Sequence, residues 1–217
     1  MSKEGVPTVI GVLGFAVLLL LIGRHYGNVV ILTLAAIVGV AGLFSIYFFR
    51  DPLRIPPADP YAVVSPCDGT VIAVETVDER EYIQGRSERI AIFMSVLSVH
   101  VNYVPFRGVV EFMRFARGKY LRADLPEAST HNVHMLTGLM TPYGKLMFKQ
   151  STGAVARRLV NHLKIGDRVE TGQKFGIIKF GSRMEVYLPP CAVVNVKVGE
   201  KVTAGESVIA VIHEKEK

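Results

Sequence analysis

Two long apolar runs dominate the first fifty residues of the chain. Residues 6–23 and 29–49 contain no Asp, Glu, Lys or Arg, and only the stretch 24–28 separates them. As helices rising about 1.5 Å per residue, such runs reach about 27 to 31 Å, close to the hydrocarbon thickness of a bilayer. The pattern predicts two membrane helices or one re-entrant hairpin within residues 1–49. A cleaved signal peptide and a buried helical hairpin are the alternatives.

The pattern changes after residue 49 to short β-branched runs separated by turn-forming residues. Pro52, Pro56 and Pro57 predict a stiff, extended linker over residues 50–60. Residues 61–217 then read as one mostly β domain. Residues 154–162 fit a helix or a strand equally well. The predicted strands are Ala62–Val64, Val71–Val77, Ile90–Met94, Val101–Val104, Val109–Arg114, Asn132–Thr137, Leu146–Gln150, Lys174–Phe180, Met184–Leu188, Val193–Val198 and Ser207–His213.

One pattern occurs twice near the C-terminus. Residues 164–173 read KIGDRV-E-TGQ and residues 197–206 read KVGEKV-T-AGE, an offset of 33 positions (197 minus 164), and each copy runs into an apolar stretch. This predicts a β-hairpin unit used twice. With the Pro66–Gly69 turn, the pattern resembles lipoyl- and biotinyl-carrier domains, which are β-sandwiches of the barrel-sandwich hybrid type. Where those carriers present a modified lysine, this chain has Gly181-Ser182.

The distribution of charge indicates how the chain is oriented in a membrane, and it says less about what the chain binds. The chain has 25 Lys and Arg against 19 Asp and Glu, a net charge of +6. Arg50 and Arg54 follow the second apolar run and Lys3 precedes the first, so the positive-inside rule places the β domain on the cytoplasmic side of the cell membrane, although Arg24 weakens the asymmetry. A mildly basic domain suits an anionic lipid surface, and solubility alone explains it equally. No basic run indicates nucleic acid.

Three separate positions carry the elements of nucleophilic catalysis. Asp68, His100 and Ser182 provide an acid to orient a histidine, a histidine to accept a proton, and a hydroxyl nucleophile. Each has a structural alternative, because Asp before Gly is a common turn former and a buried strand histidine is often only hydrogen-bonded. The sequence alone does not bring the three together.

Metal chemistry has little support in the sequence. Cys67 and Cys191 belong to no Cys-x-x-Cys pattern, and a cytoplasmic domain keeps them reduced. His131 and His134 have a spacing that could hold a metal, but no third ligand is evident. We therefore predict no metal site.

Four stretches together resemble the short (type A) phosphatidylserine decarboxylase proenzymes, a pyruvoyl-dependent family, and the resemblance covers nearly the whole chain. The stretches are Tyr47–Pro52 with Arg54 and Pro56-Pro57, Val64–Val71, Phe93–Ser95 with Val99–Asn102, and Lys179–Met184. The resemblance implies a membrane-bound carboxy-lyase of phospholipid biosynthesis that converts phosphatidylserine to phosphatidylethanolamine and CO₂.

The resemblance also implies a zymogen that cleaves its own chain between Gly181 and Ser182. Ser182 becomes a covalent pyruvoyl cofactor that forms a Schiff base with the substrate amine, His100 acts as base, and Asp68 orients His100. The products are a β chain of residues 1–181 and an α chain of residues 182–217, which form a heterodimer.

Several assignments stay open in the sequence. Some relatives have a second histidine where this chain has Leu97, which leaves the proton donor after decarboxylation unassigned. Further dimerisation and an ether-linked archaetidylserine substrate are open, and so are a pyruvoyl enzyme acting on a soluble amino acid and a non-enzymatic, membrane-tethered lipoyl-like adaptor. The candidate proton donors are His100, His131 and His134, and the candidate phosphate ligands are Arg107, Arg114 and Arg183.

Overall fold

A computed structural model describes residues 1–154, 158–179 and 181–212 of the chain. The chain divides into two compact units, Met1–Pro52 and Leu53–Lys217. Phe180, His213 and residues 155–157 of the ambiguous stretch lie outside the described residues. The rest of that stretch contains a strand, Arg158–Asn161.

The first unit is a pair of apolar helices, as the sequence predicts. Helix α1 spans Val6–Tyr26 and helix α2 spans Val29–Phe48. Gly27 ends α1 in the left-handed region (φ 61°), and the Asn28 side chain accepts hydrogen bonds from the first turn of α2. Both helices are long and apolar enough to cross a bilayer, and most of their surface is exposed. This exposed apolar surface indicates association with a membrane.

The second unit is mostly β, which confirms the predicted fold class. Ala62–Val64 forms a strand with the predicted bounds, whereas the predicted strand Val193–Val198 is replaced by a three-residue strand, Ala192–Val194. The elements are β1 (Ala62–Val64), β2 (Gly69–Glu79), β3 (Gly85–Met94), β4 (Val101–Tyr103), β5 (Gly108–Ala116), α3 (Ala128–His131), β6 (His134–Thr141), β7 (Gly144–Ser151), β8 (Arg158–Asn161), β9 (Arg168–Val169), β10 (Lys174–Lys179), β11 (Ser182–Leu188), β12 (Ala192–Val194), β13 (Lys201–Val202) and β14 (Val208–Ile212).

The strands form one large sheet and two small ones. The eight-stranded sheet has the order β13-β2-β3-β11-β7-β6-β5-β9, and the three-stranded sheets have the orders β1-β14-β12 and β4-β10-β8. The sheets enclose one core, in which Ile92, Phe148 and Met184 of the large sheet join Phe175 and Ile209 of the small sheets. Strand β11 is buried along its whole length between β3 and β7.

The two copies of the repeat have the same backbone conformation but are not hairpins, so that prediction was wrong. Gly166 and Gly199 have φ of 94° and 91°, and Gly172 and Gly205 have φ of 76° and 71°. These left-handed turns direct the two strands of each copy into different sheets. Strands β9 and β13 edge the large sheet, whereas β10 and β14 are the central strands of the small sheets. The lipoyl-like sandwich stays a prediction.

The predicted cleavage site lies at one end of the large sheet. Strand β11 begins at Ser182, which lies opposite Met94, the last residue of β3. Strand β7 ends beside it, with Ser151 opposite Arg183, and β6 begins at His134 opposite Ser151. The connection after β3 and the connection between β5 and β6 therefore lie at the same end as Ser182.

Candidate active site

Ser182 and Gly181 stand at the start of the central strand β11. Ser182 is fully buried, and its Oγ donates to the Met94 Sδ at 3.1 Å. A thioether sulfur is a weak acceptor, so this contact positions the hydroxyl without binding it strongly. Gly181 has φ of 61°, a left-handed conformation that glycine adopts at little cost. The peptide bond between the two residues thus carries a buried hydroxyl on one side and a turn on the other.

The Gly181 carbonyl rests against the backbone of Gly153. A Cβ atom at residue 153 would lie 2.3 Å from the Gly181 oxygen and 3.1 Å from its carbonyl carbon. The first distance is well inside van der Waals contact, so only glycine at position 153 leaves room for the carbonyl where it lies. The same added Cβ atom would lie 3.2 Å from the Cβ atom of Ala123.

His100 is brought to this peptide. It is fully buried, its Nε2 lies 3.2 Å from the Gly181 nitrogen, and its Nδ1 lies 2.9 Å from the Ser98 carbonyl oxygen. This geometry assigns the proton to Nδ1, which donates to Ser98, and leaves Nε2 as the acceptor of the Gly181 N–H. In this tautomer the Nε2 lone pair faces the Gly181-Ser182 segment, which is where a general base for that segment would lie.

Asp68 lies in the turn after β1, where its carboxylate binds the linker. The Arg54 guanidinium contacts its Oδ2 at 2.9 Å and its Oδ1 at 3.1 Å, and the Ala204 N–H donates to Oδ1 at 2.8 Å. Within the described residues, the hydrogen bonds of the Asp68 carboxylate go to these two partners. Arg54 also binds Glu206 at 3.2 Å, so both contacts of its guanidinium lie within the second unit. An orienting role of Asp68 toward His100 stays a prediction.

A chain of buried amides supports Met94. The Gln150 Nε2 donates to the Asn102 Oδ1 at 2.9 Å, and the Asn161 Nδ2 donates to the Gln150 Oε1 at 3.1 Å. The Asn102 Nδ2 in turn lies 4.0 Å from the Met94 Sδ. The sulfur that accepts from Ser182 therefore belongs to a hydrogen-bonded core network, which restricts where Met94 can place it.

A buried ion cluster lies three residues along β11 from Ser182. Glu185 is fully buried, with the Lys149 Nζ 3.0 Å from its Oε2, the Arg183 Nε 2.7 Å from its Oε1, and the Tyr187 hydroxyl 2.6 Å from its Oε2. Burial alone would raise the pKa of Glu185, but Lys149 and then Arg183, with the Tyr187 hydrogen bond, outweigh it and lower this pKa to about 2.

The same cluster fixes the connection between β5 and β6 over the site. The Lys149 Nζ donates to the Ser129 carbonyl at 2.7 Å, and the Arg89 guanidinium donates to the Ser129 hydroxyl at 3.0 Å. The Arg183 guanidinium donates to the Leu125 carbonyl at 3.3 Å. Strand β11 and this connection are therefore held together beside the Gly181-Ser182 peptide.

Replacing Glu185 with Gln is expected to destabilise the protein by about 3 to 5 kcal/mol, because Lys149 and Arg183 would be left buried without their shared counter-charge. Since the folded pKa of Glu185 lies below its ordinary value of 4.5, the wild type gains stability from this group above pH 4.5 and loses it as the pH falls toward 2. The variant should lack that part of the acid dependence.

The measurement is chemical denaturation of the detergent-solubilised full chain at several pH values. Glu75→Gln is the matched control, because Glu75 pairs with Arg89 at the exposed edge of the same cluster and should change stability by at most about 1 kcal/mol. Equal stability of wild type and Glu185→Gln would contradict a stabilising cluster.

The other two candidate histidines, His131 and His134, form hydrogen bonds with residues close to them in the sequence. The His131 Nδ1 lies 2.9 Å from the Thr130 hydroxyl, and the His134 Nδ1 lies 2.7 Å from the Asn132 carbonyl. Burial lowers the pKa of His134. In the described part of the chain, no three His, Cys, Asp or Glu side chains are grouped for a metal ion.

The arginine candidates lie in different places. Arg183 belongs to the Glu185 cluster, and Arg114 forms an ion pair with Glu81. Arg107 directly precedes β5, the strand whose other end reaches the site, so it lies at the far end of the sheet. Of the three, only Arg183 lies beside Ser182.

Comparison with known proteins identifies the family. A profile described as phosphatidylserine decarboxylase matches residues 41–210. The chain is 49% identical over 174 residues to the phosphatidylserine decarboxylase proenzyme of Salinibacter ruber, which covers 78% of this chain and 77% of that protein. It is 39% identical over 212 residues to the corresponding proenzyme of Desulfotalea psychrophila, covering 97% and 96%. This chain belongs to the phosphatidylserine decarboxylase family.

Proposed function

We propose that this chain is a self-cleaving proenzyme that becomes a pyruvoyl-dependent phosphatidylserine decarboxylase. The observation that carries the proposal is the geometry of one peptide: a left-handed Gly181 whose carbonyl rests on Gly153, followed by the buried hydroxyl of Ser182, with the His100 Nε2 at 3.2 Å from the Gly181 nitrogen. The names of its relatives support the substrate and the zymogen. Because the family consists of enzymes, a non-enzymatic adaptor is no longer a competing interpretation.

The first step is attack of the Ser182 Oγ on the Gly181 carbonyl carbon. His100 is proposed to accept the hydroxyl proton at Nε2 and to return a proton to the leaving amide nitrogen, which converts the amide into an ester. The carbonyl oxygen becomes negatively charged in this step, and it does so against the Gly153 backbone. Asp68 is proposed to orient His100, from a turn in which Arg54 binds its carboxylate.

Cleavage then follows by elimination. Loss of the Ser182 Cα proton breaks the Cβ–Oγ bond, so Gly181 leaves as a carboxylate and residue 182 becomes dehydroalanine. Its imine tautomer takes up one water and releases ammonia, which leaves a pyruvoyl group. The residues present fit this group, because position 182 is the buried first residue of a strand held on both sides.

When formed, the pyruvoyl group binds the substrate amine through its ketone carbon and accepts the electron pair left when CO₂ departs. The surrounding residues hold it in place and exclude water, since Met94, His100 and Ser182 are all fully buried. His100 is the proposed proton donor to the product carbon, because its Nε2 lies 3.2 Å from the Gly181 nitrogen.

We further propose that α1 and α2 keep the enzyme in the cell membrane, with the second unit on the cytoplasmic side. The decisive assay is release of labelled CO₂ from carboxyl-labelled phosphatidylserine by the full chain reconstituted into vesicles. CO₂ release from the vesicle lipid but not from free serine is expected. Release from free serine alone would overturn the lipid substrate, and an ether-linked phosphatidylserine analogue tests whether the glycerol linkage matters.

The two chains are expected to stay together after cleavage. The α chain would contribute β11, which pairs with β3 and β7, together with β13, which pairs with β2, and β14, which pairs with β1. Its removal would therefore break both the large sheet and a small sheet. Both chains should co-elute in native gel filtration and separate only in denaturant. Loss of the α chain under native conditions would contradict this heterodimer.

A further inference from the structure

Two connections flank the Gly181-Ser182 peptide at its end of the large sheet. The connection after β3 contains Val96, whose Cγ1 lies 3.9 Å from the position of a Cβ on Gly181. The connection between β5 and β6 reaches the peptide from the other side, through Ala123 at Gly153 and the Leu125 carbonyl at Arg183. The strand order β3-β11-β7-β6-β5 requires this arrangement, because β11 lies between the strands that the two connections extend.

Both connections expose apolar side chains around a buried reaction site. Val96 and Leu97 are 42% and 58% exposed, and Tyr120 and Leu125 are 44% and 39% exposed, whereas Ser182 is fully buried. Leu97 lies in the turn that follows β3. Apolar side chains grouped at the rim of a site indicate a surface that contacts something apolar.

Basic side chains accompany these apolar residues. Arg117 and Lys119 are exposed in the connection between β5 and β6, and neither forms an ion pair with another described residue. In the same connection Arg122 forms an ion pair with Asp124. Glu127 is then the one remaining negative charge to set against Arg117 and Lys119 in this connection. Exposed cations interleaved with leucine and tyrosine are typical of segments that lie in the interface of an anionic bilayer.

We propose that these six residues, Val96, Leu97, Arg117, Lys119, Tyr120 and Leu125, form a docking rim that rests on a bilayer containing anionic phospholipid. The inference rests on the proposed function in one respect: the lipid amine must reach residue 182. That amine lies only a few bonds from the glycerol backbone, so a buried residue 182 can meet it only if the rim touches the membrane surface. The acyl chains then stay in the bilayer while the head group enters the site.

The absence of tryptophan from the chain makes this contact directly measurable. Leu97→Trp introduces one fluorophore at the rim. Ile165→Trp is the matched control, because Ile165 is 66% exposed in a turn at the opposite end of the sheet, where the Gly166 N–H donates to the Val110 carbonyl. Both full-length variants are reconstituted into vesicles of phosphatidylcholine and phosphatidylserine, with and without brominated acyl chains.

The docking rim predicts that bromine quenches the emission of Leu97→Trp and that this emission is blue-shifted relative to Ile165→Trp. Similar quenching of the two variants, whether strong or absent, would overturn the proposal. The readout needs neither self-cleavage nor decarboxylation, so it decides the docking rim even if the proposed reaction at Ser182 fails.

A functional pair of variants tests the same surface. Leu97→Asp places a charge where the rim meets the bilayer and is expected to lower kcat/KM for vesicle phosphatidylserine at least about tenfold, with self-cleavage still complete. Ile165→Asp should leave both reactions at the wild-type level. Wild-type kcat/KM in Leu97→Asp would overturn the docking rim. If Leu97→Asp fails to cleave itself, the tryptophan measurement decides.

Discussion

Replacing Ser182 with Ala is expected to leave one uncleaved chain of 217 residues that releases no CO₂ from phosphatidylserine. Alanine has no oxygen to attack the Gly181 carbonyl, so neither the ester nor the pyruvoyl group forms, and the loss should be complete for both reactions. The fold should persist, because the Ser182 hydroxyl makes its described hydrogen bond only to the weak acceptor Met94. Denaturing electrophoresis and the CO₂ assay measure the two losses.

Ser151→Ala provides the matched control for this experiment. Ser151 is also fully buried, lies opposite Arg183 on the neighbouring strand, and has no hydrogen-bond partner for its hydroxyl among the described residues. It should cleave itself and decarboxylate like the wild type. Continued cleavage after residue 181 in Ser182→Ala would show that another group breaks the chain, and the account of the site would be wrong.

Replacing Gly153 with Ala is expected to slow self-cleavage at least about 100-fold, because misplacing reacting atoms by about 1 Å can cost that much. The new Cβ atom would lie 2.3 Å from the Gly181 oxygen, so the carbonyl must move away from its seat. Pulse-chase electrophoresis measures the rate, and hydroxylamine cleavage detects the ester. Little ester should accumulate in the variant, since the block precedes ester formation.

Gly85→Ala is the control for Gly153→Ala. Gly85 begins β3, and an added Cβ there meets no atom within 4 Å, so this variant should cleave normally. Thermal unfolding of both variants separates a local block from a failure to fold. A folded Gly153→Ala that cleaves at the wild-type rate would show that the Gly181 carbonyl does not need this seat.

The elements of the fold could largely be predicted from the sequence because they depend on local pattern. The uncharged runs predicted both helices, and the short β-branched runs separated by turn-forming residues predicted most of the strands. The conformation of the repeat was also local, as the paired left-handed Gly166 and Gly199 show. The sheet to which each strand belongs does not depend on local pattern, because β11 pairs with β3 and β7, which are far from it in the sequence. The hairpin prediction failed for that reason.

Some residues of the candidate site could likewise be predicted from the sequence, and others could not. Gly181, Ser182 and His100 carry a recognisable pattern, and the structure brings His100 to Gly181. Gly153 carries no such signal. Met94 belongs to the Phe93–Ser95 stretch of the pattern, but its contact with the Ser182 hydroxyl depends on how the strands pack. No sequence pattern singles out Glu185, yet it is buried among Lys149 and Arg183. For Asp68, the sequence could not reveal that Arg54 binds its carboxylate.

Intact mass spectrometry of the native full chain, purified from membranes, tests the central claim most directly. The account predicts two chains: residues 1–181 ending in a carboxylate, and a chain of 36 residues (217 minus 181). The smaller chain should be lighter than its serine-started sequence by the mass of one ammonia, which marks the pyruvoyl group. A single unmodified chain of 217 residues, or a smaller chain that still begins with serine, would contradict it.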